Sequence, residues 1–463
     1  MNLLNYLFNV FFQRKNENLN IEEDLGEDEL RQFYLKQVLL HLDRCLKYPS
    51  KMKEKYETLK ENFSEIINNP HVDSGQFKEY IRLLYPEMDR KGDWQEGISY
   101  LKMALTVRGL EADILESYLW LSLLHSYISD YKPAMEFARK SIESAKKLND
   151  NLSLTMAMQY LARIYRSQGK YKKSIWYYDK VIKIAQRNNN EEKIAHAYGS
   201  KGLTYWHMNE YENGLHALKT AQDMFIRLKD ERHTGHTFNN MGLIYTELGL
   251  YPEALRHFEK AVVIAKERED VKEFGLTEGN IGMVYFFLKQ YDTALTYLKR
   301  TMQTMDKLQS KYRLAKAKTQ IAWIYRNSAQ DINTLQTALN YAEDAYEIGL
   351  RYHIIHFQII GASYQAIILK DLLQINEAIS FSRRAVKLLD KVKVFDGLEE
   401  EIYFNHYLIL GAIATTEAIF YLEKSYKEVL MKLGKIANSN FKKSYLSIEL
   451  HKRILDEIEK YTN

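Results

Sequence analysis

Apolar and small residues recur at helical spacing through most of this chain, and the helical pattern is itself periodic. In Met241–Ala261 they lie on both sides of Gly249 and predict two short amphipathic helices joined by a tight turn. Gly249 and its equivalent Gly169 suit the end of the first helix, because glycine enters the left-handed region without steric cost. Pro252 and Pro133 fall in the first turn of the second helix, where a missing N–H is harmless. A small residue returns at Ala134, Ser174, Gly214, Ala254 and Ala294, then at Ala338, Ala378 and Ala418, with 40 residues at every step but one. Tyr165, Tyr205, Tyr245, Tyr285 and Tyr325 keep one register with that period, and Tyr131, Tyr171, Tyr211, Tyr251 and Tyr291 keep another. Such regularity specifies an array of helix pairs, each stacked on its neighbour.

Gly-x-x-Tyr, then Gly-x-Tyr, Ala three residues on, an aromatic and another Ala resembles the tetratricopeptide repeat, and Met241–Ala261 carries nearly every marked position. With Gly97 added to the small-residue series, nine units are counted, those at Gly97, Ala378 and Ala418 being degenerate. The resemblance implies an all-α, right-handed superhelical solenoid of about nine helix pairs with an N-terminal helical unit and a C-terminal capping helix. A period longer than the family's commonest is similar to that of polarity adaptors, bacterial peptide-sensing regulators and signalling ATPases. Four extra residues around Ser328–Thr334 are expected to lengthen one inter-helix turn. The expected organisation is an N-terminal amphipathic segment and linker at 1–27, a helical unit at 28–75, the solenoid at 76–436 and the cap at 437–463.

Composition narrows this picture. The chain has 463 residues, 46% of them hydrophobic, and repeat stacking predicts one elongated domain with contacts only between neighbouring units. A single cysteine, Cys45, excludes an internal disulfide and a cysteine-based zinc site, and favours a reducing, cytoplasmic setting. No stretch approaches a membrane span. In the apolar Met1–Phe12, Asn2, Asn5 and Asn9 share one helical face, which predicts an amphipathic helix docked on the first repeats; a weak membrane-surface contact is its other use. A net charge of +4 is too mild for a dedicated nucleic-acid binder. Residues 131–190 are locally basic, with 13 Lys and Arg against four acidic residues, and are expected to form a mostly solvated outer face.

No sequence feature points to catalysis. A phosphate loop is missing: Gly169-Lys170 and Gly434-Lys435 lack both the upstream glycine and the following hydroxyl residue. His233 with His236, and His353 with His356, are one helical turn apart, but no third ligand stands beside either pair in sequence, so no metal or cofactor is expected. The concave face remains. First helices line it, with Gln159, Tyr160, Arg163 and Arg166 in one unit, then His196, Ser200 and Trp206, then Asn239 and Asn240, then Asn280 and Phe286, then Gln320, Trp323 and Arg326. Amides one repeat apart, at Asn240, Asn280 and Gln320, can pair with both the C=O and N–H of an extended peptide. Trp206, Phe286 and Trp323 would supply side-chain pockets.

Phe441–Leu455 reads as one closing helix, and its Ser444-Tyr445-Leu446 run followed by His451, Lys452, Arg453, Ile454 and Leu455 resembles the end of the repeat arms of large bacterial signalling ATPases and adenylyl cyclases. That resemblance implies a sensor or adaptor arm working with a separate effector. Leu30–Leu46 and Met52–Ile67 read as two amphipathic helices outside the repeat register, and a small helical unit preceding such repeats also occurs in bacterial peptide-regulated phosphatases and transcription factors; no helix-turn-helix signature stands in it. The expected function is a non-enzymatic scaffold or regulator binding a protein or peptide ligand; the alternative is a response-regulator phosphatase-like regulator acting through its N-terminal helices.

Overall fold

The computed structural model describes residue 60 and residues 73–91, 94–128, 130–308, 310–411 and 415–462. The amphipathic segment at 1–27, Cys45 and nearly all of the expected unit at 28–75 lie outside the described residues. Among the described residues the fold is all-α, with twenty helices and no strand. Helices α1 (Ser74–Lys91) and α2 (Trp94–Val107) form the first pair. Seven more pairs follow: α3 (Glu111–Tyr127) with α4 (Tyr131–Lys147), α5 (Asn151–Ser167) with α6 (Tyr171–Arg187), α7 (Glu191–His207) with α8 (Tyr211–Arg227), α9 (Glu231–Glu247) with α10 (Tyr251–Glu267), α11 (Val271–Phe287) with α12 (Tyr291–Lys307), α13 (Lys311–Ser328) with α14 (Ile332–Arg351), and α15 (Ile355–Asp371) with α16 (Ile375–Leu389). The ninth is α17 (Glu399–Leu410) with α18 (Thr415–Leu433), before the terminal α19 (Ser439–Leu446) and α20 (Glu449–Thr462).

The 40-residue period has a simple local origin. Each helix from α3 to α12 is 17 residues long, and three residues separate it from the next. The middle turn residue is left-handed at Asn149, Gly169, Asn189, Asn209, Lys229, Gly249, Glu269 and Lys289. This ends the helix and lets the third turn residue donate back to it, as Lys170 N does to the Tyr165 carbonyl and Leu250 N to that of Tyr245, both at 2.8 Å. Turns between units add a second device. Asp150, Asn190, Asp230 and Asp270 cap the following first helices by accepting from Ser153, Lys193, His233 and Glu273 N–H groups at 3.0–3.1 Å.

Small residues set the distance within each pair. A Cβ at Gly242 would lie 2.5 Å from the ring of Phe258, and one at Gly202 would lie 2.7 Å from Leu218. Clusters of Ala, Leu, Ile and aromatic side chains then fill each interface, Phe258 with Ile281 and Val284 among them.

Three expectations need correction. The extra residues near Ser328 lengthen helices rather than a turn: α13 has 18 residues, α14 has 20, and the connection stays at three. There Asp331, in extended conformation, caps α14 by accepting from Thr334 N at 2.7 Å, so the insertion is absorbed as helix. The closing segment is two helices, broken where the Ser447 hydroxyl bonds back to the Ser444 carbonyl at 2.6 Å. Contacts are not confined to neighbouring units either. Superhelical curvature carries the last helices round onto the middle of the array, where Phe404, Tyr407, Leu422, Val429, Tyr445 and Ile454 share one buried cluster with Tyr211, Leu215, Met241 and Ile244.

Candidate functional site

The returning C-terminus lies along the edge formed by the turns within successive pairs. At the α5–α6 turn, a Cβ on Gly169 would meet the Val394 side chain at 3.2 Å. At the α7–α8 turn, Lys435 Nζ donates to the Met208 carbonyl at 2.8 Å, and Glu212 accepts from the backbone N–H groups of Ala437 and Asn438 at 2.8 and 2.9 Å. At the α9–α10 turn a Cβ on Gly249 would stand 2.9 Å from the Ser444 carbonyl oxygen, and at the α11–α12 turn Lys289 lies 3.7 Å from Glu449. Three consecutive turns therefore dock the stretch from Lys435 to Glu449, and the turn before them meets the connection after α16, converting the concave face into a chamber with a second wall.

That chamber has a volume of about 470 Å³. The first helices α7, α9, α11 and α13 contribute Trp206, Leu243, Asn280, Met283, Phe286, Lys316, Gln320 and Trp323. The opposite wall is built from Asp396 and Leu398 of the irregular connection after α16, from Glu400 and Glu401 of α17, and from Lys432, His451 and Arg453 of the last helices. Trp323 stacks on Tyr364 with ring centres 4.3 Å apart.

Ionisable groups brace the second wall and link it to the first. Lys432 Nζ donates to both Glu400 oxygens at 2.7 and 2.9 Å, and His451, bonded to the Tyr445 carbonyl at 2.8 Å, stands 3.6 Å from the same carboxylate. Burial works against the charge on Glu400, but Lys432 and His451 overcome it and hold its pKa down to about 2. Glu247, from the middle of the array, accepts from Trp206 and Tyr211 and also faces Lys432; burial nonetheless raises its pKa. Glu401 accepts from the Tyr364 hydroxyl at 2.9 Å, yet burial foremost, then neighbouring Glu400, pushes it up to about 7. Asp396 receives the Tyr312 hydroxyl, and burial opposes its charge, but Lys316, Tyr312 and His356 keep its pKa low.

Of the residues expected in the groove, Trp206, Asn280, Phe286, Gln320 and Trp323 line the chamber together. The others lie along the array outside its lining. Arg163 stacks over Tyr127 at 4.5 Å, and Arg166 donates to the Ser200 carbonyl at 3.4 Å. Gln159 and Tyr160 are half-buried nearby, Tyr160 against the cluster between α3 and α5. Asn239 accepts from Asn280 at 2.9 Å, so one rung of the amide ladder is bonded to the neighbouring repeat, and Asn240 is half-buried away from the chamber. Arg326 pairs with Asp371 at 2.7 Å and sits over Trp323 at 5.1 Å. The second wall was invisible in the repeat register, because its residues come from the segment after the regular repeats, about seventy to two hundred and fifty positions from those of the first wall.

The histidines depart from expectation. His353 occupies a left-handed turn position, and His356 accepts from Asp396 N at 3.1 Å, so the two do not form a helical pair. His233, however, acquires the third ligand that the local sequence lacks. His196 of the preceding repeat lies against it with ring centres 4.3 Å apart, beside Asp230, and burial holds the pKa of His196 down to about 4.

Tetratricopeptide-repeat family models match residues 157–188 and 193–267, and one described as anaphase-promoting complex subunit 5 matches residues 74–168. No curated protein matches the sequence. Among solved structures, a Rap protein complexed with competence and sporulation factor shares the fold at TM-score 0.55 and 12% identity, over 78% of this chain and 99% of that one. The Rap conjugation gene regulator of plasmid pLS20, complexed with the Phr* peptide, aligns at TM-score 0.51 and 12% identity over 76% and 98%. The quorum sensor NprR from B. thuringiensis, in its apo form, aligns at 0.50 and 15% over 81% and 99%. With its repeat register, paired helices and family matches in agreement, the chain is built of tetratricopeptide-type repeats, and its fold is shared by these Rap and NprR proteins.

Proposed function

We propose that the chain is a non-catalytic regulator or scaffold that holds an extended peptide, or a peptide-like segment of a partner protein, inside the chamber. The carrying observation is the chamber itself: about 470 Å³, within the range of ligand sites, with aromatic side chains beside amides from consecutive repeats. An extended backbone offers C=O and N–H groups that Gln320 and the remaining donor and acceptor of Asn280 can pair. Trp323, Phe286 and Trp206 supply apolar contact for the peptide's side chains. Two of the solved structures with this fold are complexes, one with competence and sporulation factor and one with the Phr* peptide, which supports the ligand class.

The test is selection from a random-peptide display library against the full chain, followed by calorimetric titration of a selected peptide. Asn280→Ala with Gln320→Ala should weaken binding about ten- to a hundredfold, at about 0.5–1.5 kcal/mol per lost hydrogen bond, with little change in melting temperature. A peptide that binds equally well to this variant and to Trp323→Ala lies elsewhere, and the proposal fails.

A further inference from the structure

We propose that His196, Asp230 and His233 bind a divalent transition-metal ion of the zinc class, clamping two adjacent repeats together. Each residue offers one ligand atom, and the three atoms lie within 4.8 Å of one another. His196 comes from α7, while Asp230 and His233 come from the turn and first helical turn of α9, so an ion here bridges neighbouring first helices. Bonds of about 2.0–2.2 Å place tetrahedral ligand atoms about 3.3 Å apart, so small side-chain rotations close the set. Two imidazoles and a carboxylate suit zinc and its transition-metal neighbours rather than magnesium or calcium.

The surroundings already hold these ligands in place. Asp230 is fixed by its capping role, accepting from His233 N at 3.0 Å, and its second oxygen lies 2.6 Å from His233 Nδ1. Phe225 fences both imidazoles, with ring centres 5.1 Å from each. Glu192 lies 3.6 Å from His196 Nε2, placed to orient that ring or to complete the coordination. Capping alone explains Asp230, since Asp150, Asn190 and Asp270 cap the other repeats. It does not explain the paired histidines: the repeats on either side carry Lys193 and Glu273 in place of His233, and although His236 follows His196 by one period, it faces Glu273, so among the described residues two imidazoles and a carboxylate meet at this interface. The side chains of His196, Asp230 and His233 are 26%, 28% and 34% exposed, which leaves a coordination position open to water or to a ligand group.

The experiment titrates Zn²⁺ into the chelator-treated full-length chain, by calorimetry and by competition with a chromophoric chelator, with Mg²⁺ as the control cation. We expect one zinc per chain, a higher melting temperature in zinc, and no response to Mg²⁺. His196→Ala and His233→Ala should each weaken binding at least about tenfold, whereas His353→Ala, a surface histidine, should leave it unchanged. Asp230→Asn keeps the helix cap, as Asn190 does, and separates ligation from capping: it too should weaken zinc about tenfold while the zinc-free melting temperature stays put. Absence of stoichiometric zinc binding, or a zinc affinity in His196→Ala and Asp230→Asn equal to that of the unaltered chain, overturns the proposal. The peptide titration is indifferent to these outcomes, because none of the three residues lines the chamber.

Discussion

Left-handed turn positions in this array are filled by residues of very different fitness. Gly169 and Gly249 adopt positive φ freely and the asparagines with little penalty, but Leu373, an apolar residue 84% exposed, holds φ at 64°. Leu373→Gly should therefore stabilise the fold by about 1 kcal/mol in denaturant titration. Gly249→Ala should do the reverse and cost more, because its Cβ would also press on the Ser444 carbonyl. Glu401 belongs to the same scale. Its pKa is raised from 4.5 to about 7, so the folded state binds a proton more tightly than the unfolded chain does. Stability should consequently fall as pH rises through that window, by roughly 3 kcal/mol, and Glu401→Gln should flatten the slope. Glu400 acts in the opposite sense: with its pKa held at about 2, its contribution is complete above pH 4.5 and disappears only as pH falls below it.

At the scale of the helix, the two kinds of turn are distinguished by their caps. Asp270 accepts a bond from Glu273 N, whereas Gln290 makes no side-chain cap bond to α12. Asp270→Ala should lower stability by about 1 kcal/mol in thermal or denaturant unfolding, and Gln290→Ala should have little effect. Helix pairing was legible in the sequence because a buried small residue must face its partner in every unit, and Gly202, Gly242 and Gly282 do so. Helix length was less legible. Ser328–Thr334 looked like a long turn because its polar residues break the apolar pattern, yet Asp331 supplies a cap that restarts the helix after the usual three residues. Half of the chamber could be read in advance from Asn280, Gln320 and Trp323, which follow one face through the register. Glu401, Lys432 and Arg453 could not, since superhelical pitch, rather than periodicity, decides what the end of the array meets.

At the scale of the molecule, the returning C-terminus couples units far apart in sequence. Removing residues 437–462 should expose Tyr211, Leu215 and Met241 of the middle repeats as well as the last pair. Amide hydrogen exchange should then accelerate at the 208–212 and 248–250 turns; unchanged protection there would mean that the contact contributes nothing. Glu212→Ala, which removes the acceptor for the Ala437 and Asn438 N–H groups, should reproduce part of that acceleration. The docking of Val394, Lys435, Ser444 and Glu449 on four successive turns also fixes how many units the array can contain. An open solenoid gains or loses an internal unit without disturbing its distant ends. Here the deletion of one 40-residue unit between Tyr251 and Gln290 would rotate and shift the C-terminal wall relative to the turns it grips, so the copy number of this array behaves as a structural constant, like the strand number of a closed barrel.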